Sequence, residues 1–192
     1  MTNQAIHHID LLRWLAGEVE SVSAVGATQF VNVEVEDTAT AWLKYKNGAL
    51  GSIEVTTAVR PMNHDLEASI SILGENGVAI VEGTAVNKLT QWTFEPVNLA
   101  DFCENPPNVY GYGHDHIINN VVESVFNGVE PLISAEDAME TLRLLHAIYK
   151  SIEMNGKEVF LKDKPVSDRL GVINKKAAPI ANLYRTPQVV KL

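Results

Sequence analysis

The 192-residue sequence contains one cysteine, Cys103. An internal disulfide and a zinc site built from several thiolates are both excluded, and the scarcity fits a reducing cytoplasm. Cys103 stands between Asp101 and Glu104, the wrong electrostatic surroundings for an activated nucleophile. Basic residues are also short: 15 Lys and Arg against 24 Asp and Glu, a formal net charge of −9. That balance argues against nucleic-acid and anionic-membrane partners, which need clustered cations. The local group Lys175, Lys176, Arg169 and Arg185 is too sparse to change this. No apolar run reaches the length of a membrane span, and the first twenty residues lack the basic–apolar order of a secretory signal. Internal repeats, low-complexity tracts and a G-x-S-x-G nucleophile elbow are absent too. With 46% hydrophobic and 20% charged residues, the chain is an ordinary globular sequence long enough for one substantial core.

The apolar spacing predicts a helix from Asn3 to Ala16, stopped by Gly17. Strand patterns then run from Val19 to Phe94. Asn47-Gly48 between two such runs predicts a two-residue hairpin turn with both residues at positive φ. Gly74-Glu-Asn-Gly77 predicts a second hairpin, and Lys88–Phe94 a further strand. Residues 95–110 read as loop. Two helices follow, one from His114 to Asn127 and one opened by Ser134-Ala-Glu-Asp137 and closed by Asn155-Gly156. Strands in the middle with helices at both ends give an α+β fold, a largely antiparallel open sheet of five or six strands with helices on one face. The expected division is a domain over residues 1–162 and a C-terminal arm over 163–192.

The first helix carries the densest chemistry. Asn3 and His7 are four apart and share a helical face, where both can meet one small polar molecule. His7 and Asp10 are three apart, so the carboxylate can hold one tautomer of the ring, as acid–base chemistry requires. A polar helix start ahead of the stripe Ile6, Ile9, Leu12 and Leu15 explains the same residues equally well.

Gly111-Tyr-Gly113 opens a helix but is not a dinucleotide fingerprint. The sixth position is His116, a Pro-rich loop precedes it, and no strand with a ribose-binding acid follows. The free N–H groups of that helix start suit a substrate anion instead. His114 and His116, two apart, point differently on a helix and have no acidic cluster to complete a metal site. Trp42, Tyr45, Trp92 and Phe94 read as sheet packing rather than a sugar platform.

Taken in order, these motifs resemble a known family. Asn3-Gln-Ala-Ile-His7-His-Ile-Asp10-Leu-Leu-Arg-Trp-Leu-Ala-Gly17 is similar to the first helix of the C-terminal domain in the glucose–fructose oxidoreductase/inositol dehydrogenase family (Gfo/Idh/MocA). Asp37-Thr-Ala-Thr-Ala, Asn47-Gly48-Ala49-Leu-Gly51, Gly74-Glu-Asn-Gly77, and Gly111-Tyr-Gly113-His114 through Pro131 to Ala147–Ser151 follow in the family's order. The resemblance covers residues 3–162. It implies a domain that supplies substrate contacts and an oligomer interface beside a Rossmann domain binding NAD or NADP. It also implies that His7 is an acid/base or hydroxyl ligand, steadied by Asp10, and that His114 and Gly113 face the sugar or its phosphates. Many members have an Asp where this chain has Asn3. An amide can orient a hydroxyl but cannot take its proton. In that respect the chain is more similar to the members that oxidise nucleotide-linked N-acetyl amino sugar uronates.

The Rossmann half and the family's Glu-Lys-Pro motif do not occur in this sequence, and Asp163-Lys164-Pro165 lies in a domain-end loop instead. The expectation is a C-terminal portion of a sugar dehydrogenase: an excised piece of a longer chain, a truncated gene product or half of a split enzyme. It would bind no cofactor alone and would work with a separate Rossmann half. A free-standing, non-catalytic binding or assembly domain is the alternative. A homo-oligomer formed through the sheet is also expected, on the premise that Trp42, Ile53 and Val55 share its uncovered face.

Overall fold

The computed structural model describes residues 1–33, 35–58, 68–108 and 110–170; the rest of the expected arm lies outside the described residues. In chain order the elements are α1 (Ile6–Ala16), β1 (Val19–Ala27), β2 (Thr38–Tyr45), β3 (Leu50–Thr56), β4 (Ala68–Gly74), β5 (Gly77–Gly83), β6 (Lys88–Trp92), α2 (Gly113–Asn127), α3 (Ala135–Glu153) and β7 (Val159–Phe160). The fold class is the expected α+β with antiparallel pairing throughout. The strands, however, are hydrogen-bonded as two sheets, β3-β2-β1-β7 and β4-β5-β6, rather than one. The chain divides into two compact units, the first holding α1, β1–β3, α3 and β7, the second β4–β6 and α2.

In the first unit, α1 and α3 bury their apolar stripes with one face of the sheet. Ile9, Leu144, Leu145 and Ile148 join Val22, Ala24, Ala39, Ala41, Leu43, Tyr45 and Ile53 in a single core. Alternation along β2 sets the faces: Ala39, Ala41, Leu43 and Tyr45 are buried, whereas Trp42 is 67% exposed. Across the hairpin Ala41 opposes Ile53 and Ala39 opposes Val55, while Trp42 opposes Ser52. Ile53 and Val55 therefore belong to the covered face, and the expected grouping with Trp42 is incorrect. The open face instead carries Val25, Trp42 and Leu50, beside an open groove of about 320 Å³.

The β2–β3 turn explains the discrepancy. Gly48 adopts a positive φ of 90°, but Asn47 does not. The Gly48 N–H donates to the Tyr45 carbonyl at 3.0 Å, giving a three-residue turn, Lys46-Asn47-Gly48, rather than two. Asn47 also links the turn to α1, its Nδ2 donating to the Ala16 carbonyl at 2.9 Å where the helix ends.

Buried polar groups pin the unit. The Ser151 hydroxyl donates to the Lys157 carbonyl at 2.6 Å and accepts the Ala24 N–H at 2.8 Å, tying α3 to β1. Asp37 is 2% exposed, and its carboxylate accepts the N–H groups of Gln29, Phe30 and Val31 at 2.9, 2.6 and 2.8 Å, closing the β1–β2 loop. Next to it, Glu36 accepts the Tyr149 hydroxyl at 2.6 Å; burial first, then this bond, raises the phenol's pKa. Residues 167–170 dock on the end of α3, where the Glu153 carboxylate accepts the Ser167 hydroxyl at 2.5 Å and the Asp168 N–H at 3.1 Å.

In the second unit the expected Gly74–Gly77 hairpin forms, with Gly74 opposite Gly77. Gly77 has no room for a side chain, since a Cβ there would lie 2.9 Å from the Phe94 ring. A 3-10 turn over Leu99–Phe102 interrupts the expected loop.

Candidate functional site

The polar start of α1 is presented by its apolar side. Ile9 is fully buried and Ala5 nearly so, which fixes the helix on the core and leaves Thr2, Asn3, Gln4 and His7 exposed. The helix proper begins at Ile6 rather than Asn3, and residues 2–5 form a turn. Helical hydrogen bonding nonetheless extends back through that turn. The Ala5 N–H donates to the Met1 carbonyl at 3.2 Å, and the Ile9 N–H to the Ala5 carbonyl at 3.0 Å. Asn3 and His7 thus remain one turn apart, both open to a ligand.

His8 differs from its neighbour. It is half-buried, and its Nε2 has no hydrogen-bond partner. Burial lowers its pKa, the adjacent His7 lowers it further, and a hydrogen bond with the Gln4 backbone only partly offsets them. Both effects favour the neutral ring.

Asp10 takes a partner that sequence spacing does not reveal. The Thr141 hydroxyl of α3 donates to Asp10 Oδ1, and Arg13 Nη2 stands 3.8 Å from the same oxygen. Among the described hydrogen bonds none joins Asp10 to the His7 ring. Arg13 completes the cluster: its Nε donates to Thr141 Oγ1 at 3.2 Å, and its Nη2 to Asp137 Oδ1 at 2.5 Å and to the Asp137 carbonyl at 3.3 Å. Arg13 and Thr141 were not foreseen as part of the site. Arg13 lies three residues after Asp10, a readable spacing, but Thr141 is 131 residues from Asp10 and has no local signal.

His114 and Gly113 lie in the second unit, at the start of α2. Tyr112 precedes the helix without a side-chain cap, so the first N–H groups of α2 are not claimed by a capping oxygen. His114 is exposed and packs edge-on to Tyr110, with ring centroids 6.0 Å apart at 83°. The Tyr112 hydroxyl donates to the Asn105 carbonyl at 3.1 Å, bracing the loop that leads into the helix. A Cβ at Gly113 would meet nothing within 4 Å, so sterics do not require glycine there. No group of three or more metal-ligating side chains occurs among the described residues.

The first unit is thus an antiparallel α+β assembly that shows solvent an amide and an imidazole at a helix start, with no parallel strand–turn–helix crossing among the described residues. Residues 1–159 match the model of the oxidoreductase family's C-terminal alpha/beta domain (Gfo/Idh/MocA), and the chain belongs to that family. Among solved structures it is similar to the WlbA dehydrogenase from Chromobacterium violaceum in complex with NADH and UDP-GlcNAcA. The two are 39% identical with a TM-score of 0.71 over 82% of this chain and 44% of that one. The WlbA dehydrogenase from Bordetella pertussis, in complex with the same two molecules, is also 39% identical, with a TM-score of 0.68 and the same coverage. A levoglucosan dehydrogenase in complex with NADH shares the fold at 22% identity and a TM-score of 0.63, over 83% of this chain and 49% of that one. The chain spans less than half the length of these structures. No curated protein matches it. Among the described residues no helix is long and apolar enough to cross a membrane.

Proposed function

We propose that the chain is the substrate-binding and oligomerisation part of a cytoplasmic, NAD-dependent dehydrogenase that oxidises a secondary hydroxyl of a nucleotide sugar. UDP-GlcNAcA is the substrate the reading favours. The observation that carries it is the exposed Asn3–His7 pair at a helix start, in a chain 39% identical to dehydrogenases whose structures hold UDP-GlcNAcA and NADH. Oxidising an alcohol removes a hydride from carbon and a proton from oxygen. Among the described residues the strands pair antiparallel, so the dinucleotide is assigned to a Rossmann half that accepts the hydride on its bound NAD. What the chain supplies is the proton's path and the substrate's orientation. His7 Nδ1 or Nε2 takes the hydroxyl proton, and Asn3, whose amide both donates and accepts, aims the hydroxyl. His114 and the N–H groups near Gly113 bind the sugar or its phosphates. The open sheet face, with exposed Val25, Trp42 and Leu50, is the surface through which copies associate.

The chain joined to a cofactor-binding half should reduce NAD when given UDP-GlcNAcA, read as NADH absorbance. A joined protein that binds both molecules yet never turns over would overturn the reading and favour a non-catalytic binding domain.

A further inference from the structure

We infer that Thr141, wired between Arg13 and Asp10, is a positioning residue that sets where the His7 helix presents its imidazole; this rests on the acid–base reading of His7. The wiring has a direction. A guanidinium only donates, so the Thr141 oxygen accepts from Arg13 Nε at 3.2 Å and its own proton goes to Asp10 Oδ1. A cation, a hydroxyl and a carboxylate thus form one chain in which both contacts are charge-assisted and cannot be reversed. The surroundings favour rigidity. Thr141 is 4% exposed, the Arg13 side chain is 12% exposed, and the second guanidinium contact, to Asp137 Oδ1 at 2.5 Å, reaches the first turn of α3.

Asp10 lies three residues after His7, so a chain that grips Asp10 grips the turn that carries the imidazole. Apolar packing through Ile9 holds α1 against the core, the Met1 ammonium bonds Glu36 at 2.6 Å ahead of the helix, and Asn47 holds its C-terminal end at 2.9 Å. At the turn between these anchors the directional contacts come from α3, through Thr141 and Arg13. Asp10 therefore serves the reaction through Thr141 and Arg13 rather than by orienting the His7 ring. An ångström-scale shift of a reacting group lowers turnover about a hundredfold, and a partly loosened helix gives a fraction of that.

The test compares Thr141→Val, Thr141→Ser and His7→Ala in the chain joined to its cofactor-binding half, with UDP-GlcNAcA and NAD. The expected result for Thr141→Val is a kcat lower by roughly tenfold with KM for UDP-GlcNAcA within about twofold, since substrate grip is supplied elsewhere. Thr141→Ser keeps the hydroxyl and should restore kcat. Loss in KM alone, equal loss in Val and Ser, or an unchanged kcat in Val would overturn the inference while leaving His7 untouched. Full turnover in His7→Ala would instead overturn the acid–base reading itself. If Thr141→Val does not fold, Asp137→Ala removes Arg13's half-exposed carboxylate partner and carries the same expectation, a kcat loss at constant KM.

Discussion

Replacing Asp37 with asparagine should destabilise the first unit by about 3 kcal/mol, the loss expected when a buried charged acceptor of several hydrogen bonds is neutralised. The magnitude follows from the geometry. Oδ2 accepts from Phe30 and Val31 and Oδ1 from Gln29, so asparagine can serve either the pair or the single amide with its one oxygen. Its NH2 then faces an N–H donor, which loses its partner inside the loop. For a chain of this length such a loss lowers the midpoint of thermal unfolding by about 6–12 °C. The pH dependence has a definite sign. Burial alone pushes the Asp37 pKa up, but the three backbone N–H groups and the Thr38 side chain outweigh it, leaving the folded value below the ordinary one. A depressed folded pKa stabilises fully above the unfolded value of about 3.9 and loses that contribution as pH falls through it toward the folded value. Urea unfolding followed by tryptophan fluorescence should show the gap between wild type and Asp37→Asn narrowing as the pH is lowered from about 5 to about 3. A gap at neutral pH within about 0.5 kcal/mol, the range of an ordinary surface change, would refute the staple.

Two further outcomes are expected. Trp42→Asp places a charge at the centre of the open sheet face and should shift an oligomer to a species near 21.1 kDa in light scattering, whereas a wild type already at that mass would dismiss the interface. Calorimetry of the 192-residue chain with NAD should show no micromolar binding, and a saturable micromolar isotherm would mean that the antiparallel units conceal a cofactor site.

Much of this architecture is legible in the sequence because its signals are local. Asn155 and Gly156 adopt positive φ where the last helix ends, Gly17 does so at the end of α1, and the Gly74–Gly77 hairpin closes as its residues predict. The error over Trp42 also has a local cause. A two-residue Asn47-Gly48 turn would set Lys46 against Ala49, and hence Trp42 against Ile53. One more residue in the turn sets Lys44 against Leu50 and Trp42 against Ser52, reversing which residues share a face. The helix-start pair was legible because Asn3 and His7 lie one turn apart. The partner of Asp10 was not, because helical spacing offers His7 as readily as it offers Arg13. Thr141 enters only when two helices far apart in sequence are packed on one sheet. The Asp37 staple was hidden for a related reason, since its acceptor role depends on a loop conformation that no residue pattern announces.

The central claim is that His7 moves the proton of the substrate hydroxyl, and paired substitutions at His7 and His8 test it most directly. In the chain joined to its cofactor-binding half, His7→Ala should lower kcat for UDP-GlcNAcA oxidation by roughly 10²–10⁴-fold, the usual contribution of a positioned acid–base group. Asn3→Ala should act more on KM, because its amide only holds the hydroxyl. His8, half-buried with its Nε2 unpartnered, should affect folding rather than turnover, so His8→Ala should retain kcat per folded molecule. Equal losses of kcat at His7 and His8, or no loss at His7, would contradict the account and reduce this helix start to a structural element.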